Sequence, residues 1–116
     1  MSVAAVLSAT ACQATPEQMT AVQLARGIPN VPSDDGLARL RQCESTDTYT
    51  IVSSNGLFHG AYQFTINTWD DVAARWFPWL VGVSPEDAAP HEQDSMARAL
   101  WSERGRQPWP HCGKQV

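Results

Sequence analysis

Eight prolines punctuate this 116-residue chain and limit how far any helix in it can run. Proline has no backbone N–H, and its ring clashes with the preceding turn, so it opens a helix but does not continue one. Between the prolines, apolar residues recur mostly at helical rather than alternating spacing. The pattern predicts four or five helices and little strand, within a mainly α, α+β chain.

The first predicted helix opens at Thr15-Pro16-Glu17-Gln18, with Thr as N-cap and Gln at N3. Gly27 and Pro29 stop it, and residues 28–32 read as an extended linker. Residues 1–32 therefore read as a leader with a linker helix, and residues 33–116 as the compact domain. Ser33-Asp34-Asp35 caps a helix that presents Leu37, Leu40 and Cys43 or Glu44 on one face. Tyr49-Thr50-Ile51-Val52 is β-prone and is followed by the turn signal Ser53-Ser54-Asn55-Gly56. Residues 57–64 return as the second strand of a short hairpin or as an irregular loop. Thr65 caps the next helix, which carries Ile66, Trp69, Val72 and Ala73. Trp76, Phe77 and Trp79 cluster around Pro78, with core packing as the first expectation and an exposed aromatic platform as the second. Ser84-Pro85-Glu86-Asp87 opens a short helical turn, and a longer helix from His91 carries Met96, Ala97, Leu100 and Trp101 to a stop at Gly105. The prolines of residues 107–112 predict an extended tail.

The formal charge of −4 leaves no basic footprint, which argues against a general nucleic-acid partner. Three cysteines occur without a CxxC pair, so a zinc ribbon or thioredoxin-type site is not expected. His59, His91 and His111 show no metal-ligand spacing, and there is no phosphate-binding loop or serine elbow. Neither a metal nor a cofactor is expected. Cys43 and Cys112 would close most of the domain into one loop in an oxidising compartment, worth roughly 4 kcal/mol by loop entropy. In a reducing compartment they would remain buried thiols, and the count alone does not decide. Residues 2–11 are small and uncharged, and Ala9-Thr10-Ala11 reads as a signal-peptidase site. The same place reads as a weak lipobox with Cys12 as the lipidated residue. The basic segment of an export signal is missing, since the first cation is Arg26, and an Ala-rich frayed terminus is the alternative.

Glu44 falls where a helix ends against a β-prone loop. A carboxyl desolvated there would hold its proton near neutrality, as a general acid must. Taken alone, Glu44 reads rather as an exposed residue at a helix end. The surrounding sequence adds to this. Leu40-Arg41-Gln42-Cys43-Glu44-Ser45 is followed in order by Asn55-Gly56, Gly60-Ala61-Tyr62-Gln63-Phe64, Thr68-Trp69, Glu92-Gln93 and Trp109-Pro110-His111-Cys112. This ordered set resembles the resuscitation-promoting factor catalytic domain, a family of the lysozyme-like, lytic-transglycosylase superfamily. The resemblance covers roughly residues 34–114. It departs where the family follows Cys-Glu-Ser with two glycines, Asn and Trp; here Thr46-Asp47-Thr48-Tyr49 stand instead.

The resemblance implies a small lysozyme-like domain with a Cys43–Cys112 disulfide, secreted or held at the cell envelope. It implies cleavage of peptidoglycan strands between N-acetylmuramic acid and N-acetylglucosamine, with Glu44 as the single general acid and base. Gln63 matches the family's groove glutamine, and Tyr62, Tyr49 and Thr68 are expected to line the cleft. Asp47 is either a second carboxylate that raises the Glu44 pKa and assists a muramidase, or a solvated loop residue. A monomer is expected, with other cell-wall hydrolases as further partners. Two other readings stay open: a non-catalytic peptidoglycan-binding module in which Thr46-Asp47 has spoiled the acid, and an envelope interaction protein anchored through Cys12.

Overall fold

A computed structural model describes residues 31–116. The expected helix at 15–27, the export signal and Cys12 lie outside the described residues.

Three α-helices carry the described residues. Helix α1 spans Asp34–Ser45. Ser33 caps it, its Oγ accepting the Gly36 N–H at 3.0 Å, and Asp34 and Asp35 place negative charge at the positive end of the helix dipole. Leu37 and Leu40 face inward. Helix α2, Ile66–Trp76, is capped by Thr65, whose Oγ1 accepts the Thr68 N–H, and buries Trp69, Val72 and Ala73. Helix α3, Pro90–Arg104, begins at the proline and ends at Gly105, whose φ of 61° suits glycine. It runs through the middle of the core, burying Met96, Ala97 and Leu100. The buried Arg98 donates to Pro32 O and pairs with Asp34, which fixes the start of α1 on α3. Short 3-10 turns at Pro78–Leu80, Pro85–Asp87 and Cys112–Gln115 complete the set.

The segment between α1 and α2 takes the irregular form of the two expected. Only isolated bridges form, Val52 with His59 and His59 with Phe64. Gly60 (φ 80°) and Gln63 (φ 57°) are left-handed and interrupt the extended backbone that a hairpin needs. The Asn55-Gly56 turn is present, with Gly56 N–H donating to Ser53 O at 2.8 Å.

The tail corrects the expectation of an extended segment. Residues 105–111 turn, with Trp109 N–H donating to Arg106 O and Gly113 N–H to Trp109 O, both at 2.8 Å. Proline removes only its own N–H, and its fixed φ also suits turns, so Pro108 and Pro110 do not force extension. The tail closes on α1 through the Cys43–Cys112 disulfide.

Aromatic residues dominate the core. Phe64 meets Trp69 edge-on at 5.1 Å and Trp109 at 6.3 Å, and Trp101 stacks on Trp109 at 5.8 Å. Trp69 is fully buried and donates its indole N–H to Leu80 O. Phe77 is buried, while Trp76 and Trp79 are half-buried with their indoles donating to Glu103 and Glu92. The domain is thus mainly helical and lysozyme-like, with one disulfide.

Candidate active site

Glu44 sits in the last turn of α1. The helix stops there because Thr46 and Asp47 adopt left-handed conformations, φ 54° and 56°. Their N–H groups turn back to Gln42 O and Arg41 O. These are the two positions at which the resembled family carries glycine. The left-handed turn is therefore kept here by non-glycine residues, at a cost on the order of 1–2 kcal/mol each. Ser45 braces the turn, its Oγ accepting the Thr48 N–H at 3.0 Å.

The half-buried Glu44 borders an open cleft of about 260 Å³, with Gln63 and Trp109 among its walls. Its carboxyl has no hydrogen bond or ion pair among the described residues, and burial pushes its pKa above the usual carboxylate value. Gln63, Phe58, Pro108 and Trp109 also border an adjoining depression of about 140 Å³, which Thr68 and Arg104 help to line. Past Phe58 a third depression, about 320 Å³, runs along Leu57, Ile66 and Asn67. The three form one groove. Its outer part is apolar: Leu57 is 60% exposed. Glu44 is the sole carboxylate bordering this groove among the described residues.

Glu44, Gln63 and Thr68 are thus brought to one groove. Gln63 is anchored by its Nε2, which donates to Gly60 O at 3.0 Å. The other expected residues belong to a polar cluster. Tyr62 borders the central depression but is 1% exposed, so it offers no open ring face to a sugar. Its hydroxyl donates to Asp94 at 2.6 Å and accepts from Arg41 at 3.0 Å. Tyr49 also donates to Asp94, at 2.8 Å, and does not border the three depressions. Burial and the Asp94 carboxylate raise both phenols well above their ordinary pKa, which keeps them donors. Asp47 is paired with Arg41 at 2.6 Å and does not border the groove. The raised Glu44 pKa comes from burial, not from Asp47.

Sequence reasoning missed Arg41 and Asp94 as parts of the site's frame. Arg41 ties the turn after Glu44 to Asp94 on α3, 53 positions away, at 3.3 Å. No local signal marks a pair so distant. In the sequence Gln93 stands out only as part of the Glu92-Gln93 motif. It is buried, accepts the Ala61 N–H at 2.9 Å, and donates to Tyr49 O and Ala88 O.

A disulfide-closed helical domain with one desolvated carboxyl at the end of its first helix is the architecture of a lysozyme-like domain. The chain belongs to the transglycosylase-like domain family, whose profile matches residues 31–112. It is similar to resuscitation-promoting factor Rpf of Micrococcus luteus, with 33% identity over 78 residues, covering 67% of this chain and 31% of that protein. The chain therefore spans less than a third of the length of this curated relative. No solved structure matches it.

Proposed function

We propose that residues 33–116 form a peptidoglycan lytic transglycosylase that uses Glu44 as its only protein acid and base. The observation that carries this reading is the lone carboxylate on the groove, held above its usual pKa by burial. Glycosidases that use water commonly place a second carboxylate across the bond, to serve as nucleophile or base. The nearest such group in sequence, Asp47, is engaged by Arg41 instead. One carboxyl suffices when the second nucleophile belongs to the substrate.

The reaction then runs as follows. Protonated Glu44 gives its proton to the oxygen between N-acetylmuramic acid and N-acetylglucosamine. The bond from that oxygen to the muramic anomeric carbon breaks, and the electron pair leaves with the glucosamine hydroxyl. The 6-hydroxyl of the same muramic residue bonds to the anomeric carbon and closes a 1,6-anhydro ring. Glu44, now a carboxylate, takes the hydroxyl proton and is restored. Gln63, held beside Glu44, orients the sugar through its amide. The product ends are non-reducing, and no water is consumed. A structural disulfide favours an oxidising location, so the proposed place of action is the cell envelope or beyond.

The test is digestion of purified peptidoglycan by the wild type and by Glu44→Gln, with fragments read by mass spectrometry. Anhydro-muramic ends that vanish in the variant are expected. Reducing ends would show that water is the nucleophile. Binding without turnover in both proteins would make the domain a non-catalytic wall-binding module.

A further inference from the structure

An acidic and a basic residue border adjoining parts of the groove. Glu44 borders one depression, and Arg104 borders the next, which shares Gln63 and Trp109 with it. Arg104 is the sole Lys or Arg bordering the three depressions among the described residues. It is the last residue of α3, so Gly105 and the helix end fix its place. Its side chain is 46% exposed, and its nearest carboxylate oxygen, on Asp71, is 4.0 Å away. Asp71 is already bound to Arg75 at 2.9 Å. The neighbouring Glu103 takes hydrogen bonds from Arg75 and from the Trp76 indole. Asp71 is thus shared, one oxygen held closely by Arg75 and the other at the outer limit of an ion pair with Arg104, and Glu103 is taken by Arg75 and Trp76, so the partly exposed guanidinium of this groove-lining residue keeps donors to spare.

From this placement we infer that Arg104 is a substrate-recognition residue that pairs with a carboxylate carried by the glycan strand. This rests on the glycan reading proposed above. A planar guanidinium offers two parallel N–H groups that match the two oxygens of a carboxylate. In peptidoglycan that group has two sources. One is the lactyl carboxylate of N-acetylmuramic acid, free once the stem peptide is removed. The other is a carboxylate of the stem peptide itself. The residue therefore selects muramic-acid polymers over uncharged N-acetylglucosamine polymers of the same backbone.

Binding to non-cleaving Glu44→Gln protein tests this, with and without Arg104→Ala and Arg104→Lys. The probes are N-acetylglucosamine oligomers, peptide-free glucosamine–muramic acid oligomers, and the same oligomers bearing stem peptides. At low salt, the parent is expected to bind a carboxylate-bearing probe about threefold to tenfold more tightly than the uncharged one. In Arg104→Ala that ratio falls to about one. Arg104→Lys, which keeps the charge but not the fork, restores part of it. Preference for the peptide-free probe assigns the lactyl group, and preference only for the third probe assigns the stem peptide. High salt should erode the ratio in the parent. Thermal melts of each variant show that the fold is retained, and if Arg104→Ala melts early, the Arg104→Lys comparison decides. A parent without preference, or a preference that survives Arg104→Ala, overturns the inference while leaving the glycan reading intact. Failure of the parent to bind any of the three probes would overturn both.

Discussion

Two kinds of carboxylate occur in this domain, and they differ in what surrounds them. Arg75 and the Trp76 indole hold Glu103 below the usual carboxylate range, so its charge is stabilised where it stands. Glu44 lacks such partners among the described residues, and burial alone holds its pKa up. The folded state therefore binds the Glu44 proton more tightly than the unfolded chain does. The stability from this group is fully present below the unfolded pKa and is lost as pH rises through the higher folded value. Glutamine keeps the shape without the charge. Glu44→Gln should therefore melt above the wild type at pH 7, and the gap should close below about pH 4, where an unfolded Glu carries its proton. Melts recorded across that range check it, and equal melting temperatures at pH 7 would mean the carboxylate is not desolvated. The rate of glycan cleavage should fall across the same upper pH limb, because the acid form starts the reaction.

At the scale of the element, the long segment between α1 and α2 has almost no ladder of its own and is held from α3. Gln93 supplies the grip, bonding Ala61, Tyr49 and Ala88 with one buried amide. The fit leaves no room at Gly60. An added Cβ there would lie 2.5 Å from Gln93 Oε1, on a backbone with φ of 80°. Gly60→Ala is expected to cost about 1–3 kcal/mol by denaturant unfolding, since strain and displacement of a buried acceptor both act. It should also weaken glycan binding, because Gln63 hangs from Gly60 O. Unfolding at the wild-type midpoint would show that the amide yields without loss. The same elements show what a sequence discloses. Ser33, Thr65 and Gly105 mark helix ends that local capping chemistry sets, so they were legible. Glu44 and Gln63 were legible through ordered motifs, while the Arg41–Asp94 tie and the Gln93 grip join residues dozens of positions apart. Tyr62 borders a depression with its ring buried and its hydroxyl on Asp94, and a tyrosine beside a motif residue does not disclose which side its ring takes. The tail misled because proline chemistry allows turns as readily as extension.

For the whole molecule, the decisive fact is that so small a domain closes on one covalent bond. A core of this size leaves a net stability of roughly 5–15 kcal/mol at most, the small remainder of large opposing terms. The Cys43–Cys112 link joins positions 69 apart, and loop entropy assigns it about 4 kcal/mol. Its position matters as much as its magnitude. Cys43 immediately precedes Glu44, and Cys112 immediately follows Pro110 and His111, which border the Glu44 cleft. Cutting the link frees the tail wall from the helix that carries the acid. The tail keeps other ties, since the Trp109 indole donates to Tyr62 O and Arg39 donates to Gln115 O. The reduced chain should therefore stay folded at low temperature but lose a cleft wall. Two effects are expected of the Cys43→Ser, Cys112→Ser double variant. The unfolding free energy should fall by about 4 kcal/mol. Glycan affinity should weaken at temperatures where circular dichroism still shows the native helices, because the Glu44 cleft is then assembled only part of the time. A double variant that loses stability yet binds glycan with unchanged affinity while folded would confine the disulfide to the stability of the fold and leave the cleft independent of it.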